Sequence, residues 1–363
     1  MQRDFHYYAT YCAAVLVGYS PEEALEICYS ANFVDHCSAT FLTGIHAPVS
    51  AATTQLNMEM ANTRMNLLGR QGITRVWSSF HFLPADLYAD PKKGSRRYKE
   101  KYRLICGPNG DLLVDTVNLA KGKSLQHIGI AMHVLADTWA HRGFAGTPSL
   151  VINNMSGDVI ELIGEGEELQ ERKMTFRHSL SGGDDFEKGI YKSSLFQISE
   201  NAVMNLGHGR AGHLPDYSFI RYRYMPAWGG YEEIVKDNPS DYMYAFTQMI
   251  YALKYLRGKF EVFEKETYDF QAVSELEEQI KTILRKRQSH ACKEWQSLGE
   301  MISGRKLERF DVNRYSEEYL QAEKDQKEST FLGKFIRGAV AQKNMVTEKI
   351  FESGNRLAGV VKK

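Results

Sequence analysis

The sequence predicts an all-α protein: a multi-helix metal-binding bundle with a small β-hairpin insertion and a helical C-terminal extension. Three observations predict it. Ser20-Pro21-Glu22-Glu23 is a capping box with Pro at the first helical position, a strong helix start. His133, Asp137 and His141 recur every fourth position, which suits one helix face. From Ser274 to Lys363, charged residues interleave with Leu, Ile and Phe at helical spacing, with no Pro.

The elements follow in order. Phe5 to Val17 reads as a first helix ended by Gly18. The capping box opens a second helix, carrying Ala24, Leu25, Ile27 and Cys28 toward Phe33-Val34. Ala51 to Leu68 reads as a third. Leu104-Ile105-Cys106 and Leu112-Leu113-Val114 flank Pro108-Asn109-Gly110-Asp111, which predicts a hairpin on an Asn-Gly turn within Tyr102 to Val117. Ser124 to Gly143 is the helix with the triplet. Thr147 to Asp185, rich in Gly, Asp and Glu, reads as an irregular excursion with at most short strands. Helix returns at Glu187 to Leu206 and again from Asp241 to Phe263. The organisation expected is a helical domain over 1–265 and a charged helical extension over 266–363. The extension is expected to pack on the rest or to project from it, with its charges as a solvated face.

Composition narrows the function classes. The 45 basic side chains equal the 45 acidic ones, so global charge selects no polyanionic partner. No run approaches the roughly 20 apolar residues that span a bilayer. Met-Gln-Arg-Asp-Phe-His lacks the apolar core of a signal peptide. Five scattered cysteines (Cys12, Cys28, Cys37, Cys106, Cys292) form no CxxC pair. Free thiols in a cytoplasmic protein are the expectation.

The eleven histidines carry the chemistry. On a helix each four-residue step turns the side-chain direction by about 40° and rises about 6 Å, so His133, Asp137 and His141 leave one face. Their span suits two ions with the carboxylate between them, since paired catalytic metals lie about 3.5–4 Å apart. His6 follows Asp4 at the start of a helix, and Asp35-His36 ends the second. His81 sits in the aromatic frame Trp77-Ser-Ser-Phe-His81-Phe-Leu-Pro84. His208 lies in Gly207-His208-Gly209, before Gly212-His213-Leu-Pro215-Asp216. Flanking glycines let the backbone approach closely and aim the ring. Any one of these is as readily an ordinary surface or core residue. Together they form what a multi-metal site requires.

The order of elements resembles the zinc-dependent phospholipase C and single-strand-specific zinc nuclease superfamily. Asp4-Phe5-His6-Tyr7-Tyr8, the stretch Ala136 to Phe144, and Gly207-His208-Gly209 to Leu214-Pro215-Asp216 look like an uncharacterised bacterial branch of that fold. The matching motifs cover roughly residues 1 to 225. The resemblance implies an all-helical protein with clustered zinc ions that hydrolyses phosphate esters. It implies His6, Asp35, His81, His133, Asp137, His141, His208 and Asp216 as metal residues, with His213 an alternative partner of Asp216. Family members use a free N-terminal amine as a ligand, and Asp4 is the expected substitute here. The late His and acid of the family lie one helical turn apart, whereas His208 and Asp216 are eight residues apart.

The chemistry that follows is a phosphoesterase with two or three metals, zinc first and iron or manganese as alternatives. Asp137 would bridge, and Asp35 would be the base or water-orienting group. Substrates would be a nucleotide, nucleic acid or phospholipid headgroup. Lys92-Lys93, Arg96-Arg97, Lys99, Lys101 and Arg103 would offer a phosphate-docking stretch or a solvated loop. Tyr222, Tyr224 and Trp228 would stack on bases, line an acyl pocket, or fill the core. Two alternatives remain at this point. One is a di-iron or mixed-metal oxygenase or phosphohydrolase of the HD type, ranked lower because Asp35-His36 has the reverse order. The other is a non-catalytic, metal-stabilised protein whose C-terminal helices bind a partner or a second copy.

Overall fold

The capping box forms as the sequence predicts. Ser20 Oγ accepts from the Glu23 backbone N–H at 3.2 Å, and Glu23 Oε2 accepts from the Ser20 N–H at 2.8 Å. A computed structural model describes residues 1–56, 67–164, 166–178, 182–193, 200, 202, 205–230 and 232–359. A π-helical segment, Asp4–Ala9, leads into α1 (Thr10–Val17), and α2 (Pro21–Phe33) follows. Short helices α3 (Ala39–Gly44) and α4 (Val49–Ala52) precede α5 (Leu67–Phe80), α6 (Arg96–Tyr102) and α7 (Asp111–Ala120). Next come α8 (Leu125–Ala140) and α9 (Leu150–Asn153). The strands are β1 (Ile160–Ile163), β2 (Gln170–Lys173), β3 (Thr175–His178), β4 (Ile190–Ser193), β5 (Arg221–Tyr224) and β6 (Ile234–Asp237). The chain ends with α10 (Asn238–Leu256), α11 (Glu277–Arg285), α12 (Cys292–Ser303), α13 (Ser316–Gln321) and α14 (Phe331–Glu352).

Helix α8 is the axis of the fold. It is buried nearly all round, as expected of a helix packed on several sides. Helices α2, α10, α7, α14 and α5 surround it. Its crossing with α2 is close because position 129 is glycine. A Cβ there would stand 2.4 Å from the Ile27 carbonyl oxygen, below any ordinary contact. The main buried cluster runs from Met1 through α8 and α10 to Ala358, so residues beyond 265 share it. Helix α14 lies on α4, α5, α7 and α8, and α12 lies on the π-segment and α1.

The expected all-α class is corrected by the strands. The fold is helix-rich but mixed. Among the described residues, β2-β1-β5-β6 form an antiparallel sheet, and β3 pairs with β4 in parallel. The register places Ile160 opposite Lys173 and Tyr222 opposite Lys236. A second, smaller core lies at this sheet, built on Phe82, Phe144, Tyr191, Leu214, Tyr222 and Tyr224. The excursion over Thr147 to Asp185 therefore supplies much of the sheet. The helix expected over Glu187 to Leu206 is replaced at Ile190–Ser193 by β4, and residues 194–199, 201, 203 and 204 lie outside the described residues.

The predicted hairpin is also corrected. Asn109 does take a left-handed turn, at φ 64°, but the turn opens a helix: Gly110 is the N-cap of α7. Leu112, Leu113, Val117 and Ala120 then fall on the buried face of α7. Of the third helix expected over Ala51 to Leu68, Ala51 and Ala52 are helical, residues 53–56 are not, and 57–66 lie outside the described residues. No helix among the described residues is long and apolar enough to cross a membrane.

Candidate metal centre

Each ligand-type side chain arrives from an element with a local reason to be there. His6 lies in the π-segment, a distortion that often marks functional positions. Asp35 follows the end of α2, and the Gly129 contact draws that end against α8. His81 directly follows α5. His133 and Asp137 lie within α8, and His141 is its C-cap. His208 and Asp216 sit in short 3₁₀ turns. Gly207 (φ 52°) packs where a Cβ would stand 2.2 Å from the Phe82 ring, and Gly212 (φ 59°) where one would stand 1.7 Å from the Lys192 oxygen. Close approach at these glycines aims His208, as the sequence suggested.

These side chains converge on Asp137. Its Oδ1 lies 3.1 Å from His6 Nε2, and its Oδ2 lies 3.2 Å from His133 Nε2 and 3.4 Å from His81 Nδ1. His141 Nδ1 is 3.6 Å from the same Oδ2. Among the described residues, three groups have ligand-type atoms within 4.8 Å of one another: His6, His133 and Asp137; Asp35, His81 and His133; His141, His208 and Asp216. Asp216 Oδ1 is 3.4 Å from His141 Nε2, and its Oδ2 is 3.7 Å from His208 Nε2.

The outer nitrogens fix the tautomers. His133 Nδ1 donates to the Ala31 carbonyl (2.9 Å), His141 Nδ1 to His81 (2.6 Å), His208 Nδ1 to Gly212 (2.7 Å) and His81 Nε2 to Thr54 (3.0 Å). A carbonyl only accepts, so each ring turns its other nitrogen, a lone pair, inward. His6 is fully buried, with Nε2 turned to Asp137 Oδ1 at 3.1 Å and Nδ1 without a hydrogen-bond partner among the described residues. Burial brings His133 and His141 down to about 4, which keeps both rings neutral, the form that binds metal. Burial alone would raise the Asp137 and Asp216 carboxyls. The imidazoles when they carry a proton, and the Met1 amine as a standing cation, outweigh it and hold both well below the usual carboxylate range.

Several expected site residues stand elsewhere. Asp4 does not join the cluster: one oxygen accepts from the Phe5 N–H (2.9 Å) and the other from the Ala291 N–H (2.8 Å). It fastens the segment before α12 to the start of the chain. His213 stays outside the three groups, more than half exposed, with Nδ1 3.3 Å from Asp216 Oδ2. Both His208 and His213 thus face Asp216. His36 stacks on Phe310, away from its neighbour Asp35. In the basic stretch, Lys99 pairs with Asp90, Arg96 with Glu100 and Lys101 with Glu200. Tyr222 and Tyr224 are core residues, and the half-buried Trp228 donates to the Gly143 carbonyl.

Three contributors were missed in the sequence. The Met1 amine lies 2.6 Å from Asp137 Oδ1, 3.2 Å from His141 Nε2 and 3.4 Å from Asp216 Oδ1. Asn32, one residue after the Ala31 carbonyl that holds His133, is 1% exposed, and neither its Nδ2 nor its Oδ1 has a partner. The helical spacing of Asn32 and Asp35 was the available signal. Lys236, from β6, is fully buried and donates to the Trp139 and Ala140 carbonyls (2.9 and 3.1 Å) and to Asp241 (2.8 Å). It caps the end of α8 just before His141, where a cation suits the helix dipole.

A cleft of about 880 Å³ reaches this cluster at Met1, Asp35 and Asp216. Its other walls include Asn32 and, from the C-terminal third, His290, Lys293 and Arg309. No curated protein and no solved structure matches the chain. A family of unknown function, DUF6765, matches residues 1–350, nearly the whole length, and the chain belongs to that family.

Proposed function

We propose that the protein is a metal-dependent phosphoesterase with two or three ions, zinc first, held by His6, Asp35, His81, His133, Asp137, His141, His208 and Asp216. One observation carries the metal reading. His81 Nδ1 and His133 Nε2 face each other at 3.3 Å, while the outer nitrogen of each already donates to a carbonyl. Two inward lone pairs at that distance repel unless a cation lies between them, either a metal ion or a proton on His81, whose pKa Asp137 and Asp35 raise. The spacing fits: two atoms each about 2.0–2.1 Å from a tetrahedral ion lie about 3.4 Å apart. The other Asp137 and Asp216 contacts to inward ring nitrogens, 3.1–3.7 Å, bracket that value.

When bound, such ions supply an activated water and neutralise a phosphoryl oxygen. The chain's own residues do the rest. Asp137 presents one oxygen to His6 and the other to His133 and His81, which suits a bridging carboxylate. Asp35 is a quarter exposed and lines the cleft, so it can accept a proton from a water that enters there. The Met1 amine, 2.6 Å from Asp137 and 3.2 Å from His141, supports a terminal ligand of the kind the resemblance implies. The substrate is a phosphate ester: a nucleotide, a nucleic acid or a lipid headgroup. Five cysteines without a disulfide support a reducing compartment, the cytoplasm in this reading.

Elemental analysis of the purified protein, paired with hydrolysis of bis(p-nitrophenyl) phosphate, tests the proposal. Zinc above one per chain with turnover is the expected result. Iron in its place points to the oxygenase or HD-type alternative. Stoichiometric zinc without turnover on any phosphate ester points to a structural clasp. Less than one transition metal per chain overturns the metal reading itself.

A further inference from the structure

We infer that the cleft beside the metal ligands holds a second anionic group of the substrate, in a subsite made by Asn32, Arg3, Lys293 and Arg309. The inference rests on the phosphoesterase reading and names a substrate class for it: phosphate esters that carry another phosphate nearby.

The four residues come from distant parts of the chain and line one cleft. Arg3, Lys293 and Arg309 are exposed there, and none has an ion-pair partner among the described residues. In the basic stretch after His81, by contrast, Lys99, Arg96 and Lys101 are taken by Asp90, Glu100 and Glu200. Arg3 extends over the Phe310 ring at 6.0 Å. Arg3, Tyr8 and Arg309 line the same cleft. Asn32 adds a buried amide with both polar atoms free, which costs stability unless a ligand completes its hydrogen bonds.

The acids of the cleft do not neutralise this wall. Asp216 faces imidazoles and the Met1 amine. Asp184 accepts from the Tyr217 hydroxyl and the Lys192 N–H. Asp35 stands by His81. Ions at the cluster would already balance the phosphate being cleaved. Three unpaired cations and an amide donor are left over, and they match a second phosphate by charge and by forked hydrogen bonding. The Asp4–Ala291 hydrogen bond positions this wall, because it fixes the chain next to Cys292 and Lys293.

Calorimetry on the full-length, metal-loaded protein tests this with adenosine 3′,5′-bisphosphate against adenosine 5′-monophosphate, which share the base and sugar. The bisphosphate should bind about tenfold tighter or better. The R3Q/K293Q/R309Q variant should lose that preference while keeping its metal, and N32D should weaken the bisphosphate selectively. A wild type that prefers neither the bisphosphate nor the phosphoinositide vesicles, or a metal-replete triple variant that keeps either preference, overturns the subsite. A second arm uses phosphatidylcholine vesicles with and without phosphatidylinositol 4-phosphate. Cation-dependent capture there, with no preference among the nucleotides, assigns the second group to a lipid headgroup. Capture of neither probe overturns the subsite. If the preference holds but no phosphate ester is turned over, the subsite stands and the phosphoesterase reading falls.

Discussion

At the scale of single residues, the same carboxylate answers to two opposing forces. Burial disfavours the charge on Asp137, and the Met1 amine at 2.6 Å, with any imidazole around it that carries a proton, restores it. A charge kept at this depth is lost only at great cost, roughly 3–5 kcal/mol when its partners remain. Asp137→Asn keeps the shape and removes the charge, so metal affinity should fall by about a hundredfold or more. Asp4→Ala should leave metal content at the wild-type level, because both Asp4 oxygens are already spent on backbone N–H groups. His178→Ala should do the same, since His178 lies in β3 outside the three ligand groups. Metal per chain after equilibrium dialysis decides among them. Loss in Asp4→Ala would restore Asp4 as a ligand, and an unaffected Asp137→Asn would remove the bridge from the site. The triplet on α8 was legible in the sequence because its four-residue spacing is itself a geometric statement. Asp4 was not, since Asp suits both ligation and a hydrogen bond to nearby N–H groups, and only the fold shows Ala291 beside it.

Elements come next. The i, i+4 pattern located α8 and the capping box located α2, but nothing in either sequence says that they touch. Gly129 makes the contact possible, and with it the approach of Asp35 and Asn32 to His133 and Asp137. Gly129→Ala would put a methyl 2.4 Å from the Ile27 oxygen and 2.5 Å from the Ser30 Cβ. Backbone cannot yield there as a flexible side chain would, so the expected cost is about 1–3 kcal/mol, against the gain that Ala brings to an exposed helix. Metal affinity should fall together with the melting temperature, because the two helices carry different candidate ligands. A variant as stable as wild type with unchanged metal affinity would show that α2 does not set the site. The sheet was less legible. Its strands have four residues each, too short for a firm period, and Gly-rich and acidic stretches around them read as loop. Arg221-Tyr222-Arg223-Tyr224 does alternate, with both tyrosines buried and both arginines partly exposed, and it was the strand signal to follow. The missed sheet matters to the site, because β6 brings the Lys236 that caps α8.

For the whole molecule, the question is what the last hundred residues contribute. Charges interleaved with apolar residues at helix period look alike whether a helix packs or projects, so the sequence left both open. The structure packs them. Helix α14 buries Phe331, Leu332, Phe335, Ile336, Val346 and Ile350 against the rest of the fold. At about 1.5–3 kcal/mol for each large apolar side chain, this helix alone contributes on the order of 10 kcal/mol before entropy is counted. Its polar residues are placed as carefully. Gln342 donates to the Ser79 carbonyl and the Thr116 hydroxyl, and Lys343 to the Ser50 and Thr53 carbonyls. Helix α12 covers the π-segment that carries His6, and Ala291 holds Asp4. Net stability of a domain is only roughly 5–15 kcal/mol, so losing these contacts should exceed it. A chain ending at residue 265 should therefore lack a cooperative melting transition, bind a hydrophobic dye, and retain no metal. A truncated chain that melts cooperatively with its full metal content would instead make residues 266–363 a separable extension. In that event their contribution to the site would be confined to the cleft wall formed by Lys293 and Arg309.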